Sequence, residues 1–343
     1  EGGPVAALAA EAAGGNGSCP PDDPLAAALK RSAALAKADL VSQVVIEFPT
    51  LQGTMGELYA RAAGEPEAVA VALGEQYLPV SATAPAPATL AGGLLAVAEK
   101  ADNIVGAWVA DEKPSGSRDP YGLRRAAMGI VRIALQYGLR FAVRGLLGSA
   151  LDQYEVQGVA DLDAAARAAL LGETEAFVLE RLQALLLEEG LPFAVVEAAV
   201  GAVPGDVPAL VARARAFAAL AGRDILENAA VAYDRCASLA GKAAAGAQGP
   251  PDAALFSDEA ERVLATALAE VTPAIRDALD RLDIESALAA AARLRPAVDR
   301  YFDDVLVMDE DVAVRDNRLA QLVAVTRLLG QIGALDRLPA AAP

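Results

Sequence analysis

The sequence contains no histidine. This absence excludes Ser-His-Asp triads, HExxH zinc sites and histidine general bases from the chain. The only cysteines are Cys19 and Cys236, and because they fit no CxxC spacing we expect ordinary thiols, without a metal site or a disulfide. A phosphate-binding loop of the GxxxxGKS or GxxxxGKT type is also missing. A self-contained hydrolase is therefore disfavoured.

Long apolar runs are missing as well. No run of about 18 residues is free of both charge and glycine, so we expect no membrane span. No basic segment followed by an apolar one stands at the start, which favours a cytoplasmic protein. The first residue is Glu1, so we expect that residues upstream belong to the protein. The formal charge of −17 opposes loose binding to nucleic acid, so a polyanion would have to meet local basic patches.

The composition that remains predicts an all-α fold. The chain has 343 residues, of which 55% are hydrophobic, enough for about two domains. Strand-like alternation is nearly absent. Asp23 followed by Pro24 is a typical helix start, and Pro49 should end the helix that runs to Phe48. Further helices are predicted over residues 51–63, 66–77, 89–111, 120–137, 139–172 and 257–337, with a flexible break at GAQGPPDAA.

The helix over 120–137 combines an apolar face with arginine. At 100° per residue, one face carries Leu123, Ala127, Ile130 and Ala134. Around the remaining surface lie four arginines, which we call the arginine strip: Arg118 in the preceding loop, Arg124, Arg125 and Arg132. A solvated basic face is one interpretation. A phosphate-binding strip is the other, and it gains weight because the chain is otherwise acidic.

Several long motifs resemble the bacterial glycyl-tRNA synthetase beta subunit. They are, in order, KADLVSQVVIEFPTLQGTMGELYARAAGE, VAVALGEQYLP, EKADNIVGAWV, PSGSRDPYGLRRAAMGIVRI and, near the end, RPAVDRYFDDVLVMDEDVAVRDNRLAQL. They cover most of residues 30–140 and 293–325. The family subunit is longer, so the chain resembles its C-terminal half.

The resemblance implies two domains. Residues 1–155 would form a helical domain similar to the HD phosphohydrolase fold. Residues 156–343 would form a helical region that ends in an anticodon-binding domain of the arginyl-tRNA synthetase type. In the family, the beta subunit chiefly holds tRNA(Gly), while an alpha subunit binds glycine and ATP in an alpha2beta2 complex. The resemblance further implies that the chain is a component of an aminoacyl-tRNA synthetase. This component would need no cofactor of its own and would hold neither catalytic residues nor a metal.

The HD-like part departs from a working phosphohydrolase. Such enzymes hold a metal with histidine and aspartate, and this chain has no histidine. Glu99 stands where the family has aspartate, and it joins Asp39 and Asp102 as possible relics of an acidic site. A structural polar network is favoured over a metal site. In the stretch EFPTLQGTMGELYA, Pro49 should end a helix, while Gly53 and Gly56 should allow close backbone approach.

The C-terminal part supplies further candidate tRNA contacts. In YDRCASLAGK, Asp234 replaces the lysine of the family, while Arg235 and Lys242 remain. In VRDNRL, the candidates are Arg315, Asn317 and Arg318. The alternative for these two arginines is pairing with Asp311 and other nearby acids, worth a few tenths of a kcal/mol if exposed.

Two other classes of function stay open at this stage. An all-α protein-interaction scaffold without RNA binding is favoured mildly by the negative charge and by Asp234. A degenerate HD-type phosphohydrolase is disfavoured by the missing histidines.

Overall fold

A computed structural model describes residues 23–81, 83–201, 206–243 and 249–338. Over these ranges the chain is all-α, as predicted, and the sole bridge is an isolated one between Ser115 and Arg118. No helix in the described part is long and apolar enough to cross a membrane. Cys19 and the first residues of the predicted flexible break, 246–248, lie outside the described residues.

The chain divides into two compact units. Unit 1 contains the described residues of 23–184 with 206–208, and unit 2 contains those of 185–201 and 209–338. By packing, the boundary falls within one long helix, Ala164–Glu188. The division into domains predicted after residue 155 stays a prediction.

Unit 1 is built around one buried helix. Its helices are α1 (Pro24–Leu35), α2 (Gln43–Glu47), α3 (Thr54–Ala62), α4 (Glu67–Glu75), α5 (Leu90–Val109), α6 (Leu123–Tyr137), α7 (Val143–Val156) and most of α8 (Ala164–Glu188). Helix α5 packs against α1, α4, α6 and α7, so its apolar residues are buried on all sides. The apolar face predicted for α6 is confirmed, because Leu123, Ala127, Ile130 and Ala134 are all buried.

One predicted helix is interrupted in the structure, and one helical stretch contains two helices. The continuous helix predicted from Pro24 to Phe48 is wrong, because α1 ends at Leu35 and Lys37 adopts a left-handed φ of 63°. The backbone N–H of Lys37 then donates to Gln76 Oε1 at 3.2 Å, an exchange that a continuing helix would not allow. The stretch 139–172, predicted to be helical, contains α7 and the start of α8, with Gly158 at φ 70° between them.

The corner between α2 and α3 depends on a buried carboxylate and a glycine. Asp39 is buried, and its Oδ2 accepts the Gly53 N–H at 2.7 Å while its Oδ1 accepts the Tyr77 hydroxyl at 2.9 Å. Gly53 has φ 79°, and a Cβ there would lie 2.8 Å from the Gly74 carbonyl oxygen. The close backbone approach predicted for Gly53 is confirmed, and no other residue type fits without strain.

Unit 2 packs several helices against one face of a single long helix. Beyond the end of α8 it contains α9 (Phe193–Val200), α10 (Val207–Ala219), α11 (Asp224–Ala240), α12 (Glu259–Asp280), α13 (Ile284–Ala292), α14 (Arg295–Asp304) and α15 (Val312–Leu329). Helix α11 is this long helix, and it contacts α13, α14 and α15. It buries Cys236, and burial raises the pKa of this thiol to about 12. A thiol in this state is inert, in line with the ordinary thiol predicted.

Candidate nucleic-acid interface

The start of α6 fixes the arginine strip. Gly122 precedes the helix with a left-handed φ of 66°. The carboxylate of Asp119 then caps the first turn, accepting the N–H groups of Leu123 at 2.8 Å and Arg124 at 3.0 Å. Because the cap fixes the backbone of the first helical turn, the side chains of Arg124 and Arg125 leave the helix in fixed directions. Arg118 belongs to the turn before this cap, where its backbone bonds to Ser115.

Three of the four arginines of the strip donate to backbone carbonyls. Arg124 Nη2 donates to the Gly116 oxygen at 2.7 Å, and Arg125 Nη1 donates to the Val80 oxygen at 2.9 Å. Arg132 donates to the carbonyls of Ser81 and Ala84, at 3.4 and 2.9 Å. A carbonyl carries no net charge, so these bonds orient the guanidinium groups without neutralising them.

Val80, Ser81 and Ala84 belong to a proline-rich loop, residues 80–88, and other residues of α6 also bond to this loop. Gln136 Nε2 and the Tyr137 hydroxyl each donate to the Pro87 oxygen at 2.8 Å. From α4, the Glu75 carboxylate accepts the backbone N–H groups of Ala88 and Thr89. The loop is thus fixed at both ends, and Arg125 and Arg132 of the arginine strip form part of its attachment.

Arg118 of the strip and the nearby Tyr121 are both exposed to solvent. Arg118 is exposed, and its guanidinium has neither an ion pair nor a hydrogen bond within the described part of the chain. Tyr121 is 60% exposed, two residues before α6 begins. Sequence reasoning passed over Tyr121, although an aromatic residue between two basic positions is a known signal for stacking on bases. The strip therefore combines four cations with one exposed ring.

Two of the three candidates on α15 are buried and engaged inside unit 2. Asn317 is 7% exposed, and it clamps Asp252 through both of that residue's backbone groups, at 2.6 and 3.0 Å. Arg318 is also 7% exposed. Its contacts are the Glu261 carboxylate at 3.2 Å, the Asp309 carboxylate at 2.7 Å, the Leu306 carbonyl at 2.9 Å and the Ser257 hydroxyl at 2.9 Å.

The Arg318 network fixes a loop and a helix start together. Glu261 is fully buried, and it closes the capping box of α12 by accepting the Asp258 N–H. The pKa of Asp309 is lowered, first by the Asp311 N–H and then by Arg318. Pairing of Arg318 with acids is therefore observed, whereas Asp311 itself caps α15 and Arg315 lies 3.9 Å from Asp316. Of these candidates, Arg315 alone is accessible.

Arg235 and Lys242 lie on and just beyond α11. Arg235 is about one-third exposed, ion-paired to Asp299 of α14, and stacked over the Phe302 ring with its Cζ 5.0 Å from the ring centroid. Lys242 is exposed after the C-terminus of the helix. The structure does not bring these two residues into contact with Arg315, Asn317 or Arg318 through any recorded hydrogen bond or ion pair in the described residues.

The acidic residues of unit 1 that were candidates for an acidic site make internal bonds. Lys37 Nζ contacts Asp102 at 3.0 Å and Glu99 at 3.9 Å, and it also donates to Asn103. Lys100 is buried, with its Nζ 3.9 Å from Glu99 and 3.4 Å from the Gln76 carbonyl. Within the described ranges, no group of three or more histidine, cysteine, aspartate or glutamate residues is arranged to hold a metal ion. Glu99 and Asp102 share Lys37, whereas Asp39 accepts hydrogen bonds from Gly53 and Tyr77.

Comparison with known protein families matches two parts of the chain. The family model described as glycyl-tRNA synthetase beta subunit matches residues 5–201, more than half of the chain. The chain belongs to this family. The model described as DALR anticodon binding domain matches residues 229–338. The family model covers the arginine strip, and the second model covers every candidate on α11 and α15.

Individual relatives agree with the family assignment. A glycine–tRNA ligase beta subunit of Nitratidesulfovibrio vulgaris (Miyazaki F) is 43% identical over 321 residues, covering 90% of this chain and 45% of the relative. The one of Solidesulfovibrio magneticus is 40% identical, covering 87% and 43%. That of Desulforudis audaxviator is 41% identical, covering 90% and 44%. The chain spans less than half the length of these relatives.

Sequence reasoning missed three further residues, which lie on α14. Arg295, Asp299 and Phe302 meet Arg235 of α11 in one cluster. The signal was available in RPAVDRYF, because Arg295 and Asp299 stand four residues apart on one helix face. The sequence does not show that Arg235 is their partner, because Arg235 lies 60 or more positions away. It reaches α14 only through the packing of α11.

Proposed function

We propose that the chain is the tRNA-binding part of a glycine–tRNA ligase beta subunit. It positions tRNA(Gly) for ATP-dependent glycylation, which takes place on the alpha subunit of a cytoplasmic alpha2beta2 complex. The chain itself supplies no catalytic residue, metal or cofactor. Its contribution is binding energy and orientation, because holding the tRNA end near an activated glycine lowers the entropic part of the barrier. The candidate contacts are the arginine strip, Arg235, Lys242 and Arg315, with Asn317 and Arg318 acting from beneath the surface.

The observation that carries this proposal is the choice of acceptors in the arginine strip. In a chain of net charge −17, most arginines would be expected to pair with acids. Arg124 and Arg125 instead donate to carbonyls, and Arg118 is exposed. Their charge is therefore available to phosphate groups, which guanidinium binds in its planar, bidentate geometry. An acidic surround also helps, because it discourages binding of a polyanion anywhere else.

The direct test is the affinity of the chain for a glycine tRNA transcript across a salt series. If four arginines contact phosphates, the logarithm of the binding constant should fall against log salt with a slope of about −3, since each contact contributes about 0.7–0.9. Polyuridylate of equal length is the control for unspecific attraction. Absence of binding at low salt, or binding without salt dependence, would refute the proposal.

A second candidate is a protein-interaction scaffold, and one observation favours it. Between residues 40 and 59, several large apolar side chains are exposed, among them Val41 at 81%, Ile46 at 66% and Phe48 at 53%. Exposed apolar groups of this density are typical of protein contact sites. The two candidates separate in one experiment. A chain that binds the alpha subunit of the ligase but no tRNA at any salt concentration is a scaffold.

A further inference from the structure

A small cavity lies inside unit 1, between α1, α3 and α4, and its volume is about 220 Å³. Apolar side chains form most of its wall, among them Leu35, Ala60 and Leu73. The two charged residues of the lining, Asp39 and Glu65, are both acidic. The cavity is therefore suited to a ligand that is partly apolar and carries positive charge.

Two of the polar side chains in the wall are already occupied. Both carboxylate oxygens of Glu65 bond to the guanidinium of Arg31, one of them to Arg31 Nε at 3.0 Å. Gln76 is fully buried, and its side chain donates to the Leu73 carbonyl at 2.9 Å and accepts the Lys37 N–H at 3.2 Å. Neither residue therefore presents an uncompensated charge to the cavity.

Asp39 differs from both, because no cation neutralises it. The residue is 3% exposed. Its two bonds come from neutral donors, the Gly53 N–H at 2.7 Å and the Tyr77 hydroxyl at 2.9 Å, and it takes part in no ion pair among the described residues. A carboxylate has about four lone-pair positions, so two remain free. A buried charge without a counterion is unfavourable, and a cation in the cavity would relieve this cost.

The space in front of Asp39 exists because α3 has a glycine there. Gly56 lies within the helix, outside the left-handed region, so its backbone does not demand glycine. An added Cβ at Gly56 would lie 3.4 Å from Asp39 Cγ and 3.5 Å from Asp39 Oδ2, which are ordinary contact distances. Alanine would also favour the helix. Neither backbone nor packing requires glycine at this position, whereas access to the carboxylate does.

We propose that this cavity binds a primary alkylammonium group. The ammonium donates to the free lone pairs of Asp39, and the alkyl chain lies along Leu35, Ala60 and Leu73. A metal ion matches less well, because one carboxylate in an apolar wall does not supply the set of about six oxygen ligands that Mg²⁺ or Ca²⁺ takes. The group belongs to a free small amine or to a lysine side chain of another protein. This inference is independent of tRNA binding.

Titration of the chain with n-butylammonium chloride tests the proposal. The amide signals of Gly53 and Gly56 in a nitrogen–proton correlation spectrum report on the site, because Gly53 donates to Asp39 and Gly56 lines the cavity. The control is n-butanol, which has the same length and no charge. We expect a dissociation constant of about 1 mM for butylammonium, within reach of a ligand of about five heavy atoms, and at least about tenfold weaker binding of n-butanol.

Two matched glycine substitutions test where the ligand binds. Gly56→Ala fills the space in front of Asp39 at ordinary contact distances, so it should fold and weaken butylammonium binding at least about tenfold. Gly145→Ala is the control, because Gly145 also lies in a helix of unit 1 and an added Cβ there would meet Ala142 at 3.8 Å. It should leave the dissociation constant unchanged. Asp39→Asn removes the charge, keeps an oxygen for the Gly53 N–H, and should weaken binding as Gly56→Ala does.

A lysine derivative separates the two sources of the ligand. N-acetyl-lysine methylamide carries the same butylammonium group on a peptide backbone. If it binds as tightly as butylammonium, the cavity accepts a lysine side chain of a partner protein. If it does not bind while butylammonium does, the cavity admits a free amine. Either result supports the alkylammonium site.

Three results would overturn the site. The first is the absence of shifts at Gly53 and Gly56 with butylammonium at about 10 mM, tenfold above the expected dissociation constant. The second is equally tight binding of n-butanol, which would make the cavity a purely apolar one. The third is unchanged binding in Gly56→Ala. Should Asp39→Asn not fold, Gly56→Ala decides alone.

Discussion

The arginines of α6 and the arginine buried in α15 have the same side chain and opposite surroundings. In unit 1, Arg124 and Arg125 orient themselves on carbonyl oxygens and keep their charge. In unit 2, Arg318 forms ion pairs with Glu261 and Asp309 inside the protein, and these carboxylates neutralise its charge. An arginine that donates to neutral carbonyl oxygens can still bind a charged partner, whereas an arginine paired with buried carboxylates stabilises the fold. The four predictions below test that distinction, from the largest expected effect to the smallest.

The largest effect should come from Arg318→Met. This change leaves the fully buried Glu261 without its cation, and removing one partner of a buried pair costs about 3–5 kcal/mol. Urea unfolding of the chain measures the loss. Arg300→Met is the control, because its pair with Asp304 is half exposed and should contribute less than about 1 kcal/mol. A variant that stays as stable as the parent but loses tRNA would make Arg318 a direct contact.

The second effect concerns binding. Replacing Arg124, Arg125 and Arg132 by Ala together should flatten the salt dependence of tRNA binding by about 2–3 in log–log slope. The preference among tRNAs should stay the same, because phosphate contacts carry no base information. Stability must be followed in parallel, since these residues also hold the loop after Pro79.

A matched triple variant tests whether charge alone explains that result. Lys113, Arg144 and Arg167 belong to the same unit, and each is ion-paired to glutamate or aspartate. Replacing these three by Ala changes the formal charge by the same amount. An equal loss of slope in both triples would show that the strip is only part of the general field of the protein.

The third effect is a pH dependence at a buried lysine. Burial lowers the pKa of Lys100 to about 8, and Glu99 offsets part of this shift. Because the folded pKa lies below the unfolded value of about 10.4, the unfolded chain binds more protons between these values, and stability rises with pH there. Relative to Lys100→Met, the parent should gain up to about 3 kcal/mol between pH 7 and 10.5 in urea unfolding. A constant difference would contradict the assignment.

The smallest effect should come from Arg315→Ala. Its guanidinium is 3.9 Å from Asp316 and partly exposed, so the free energy of unfolding should change by less than about 0.5 kcal/mol. The contrast with Arg318, three residues along the same helix, is the sharpest form of the comparison. A loss above 1 kcal/mol would show that Arg315, too, serves the fold.

The sequence predicted what depends on local pattern. The helical period of the apolar residues and the typical helix-capping residues were sufficient to predict the all-α fold, the cap at Asp23 and the buried face of α6. The break after α1 was missed, because it depends on Gln76, which lies 39 positions from Lys37. The burial of Asn317 and Arg318 was missed for the same reason, since their partners Asp252 and Glu261 come from distant segments. Long-range polar contacts leave no periodic trace.

The attachment of the proline-rich loop to α6 has an evolutionary consequence. The side chains of Arg125, Arg132, Gln136 and Tyr137 donate to carbonyl oxygens of the loop, and every amino acid possesses a backbone carbonyl. Substitutions within the loop therefore remove none of these bonds, whereas an inserted or deleted residue shifts every carbonyl out of register. Among homologues, the exposed residues of the range 80–88 should vary freely in identity, unlike the buried Pro87, and the number of residues should stay constant. A foreign peptide of the same length could be grafted there, displayed beside a ready-made row of cations.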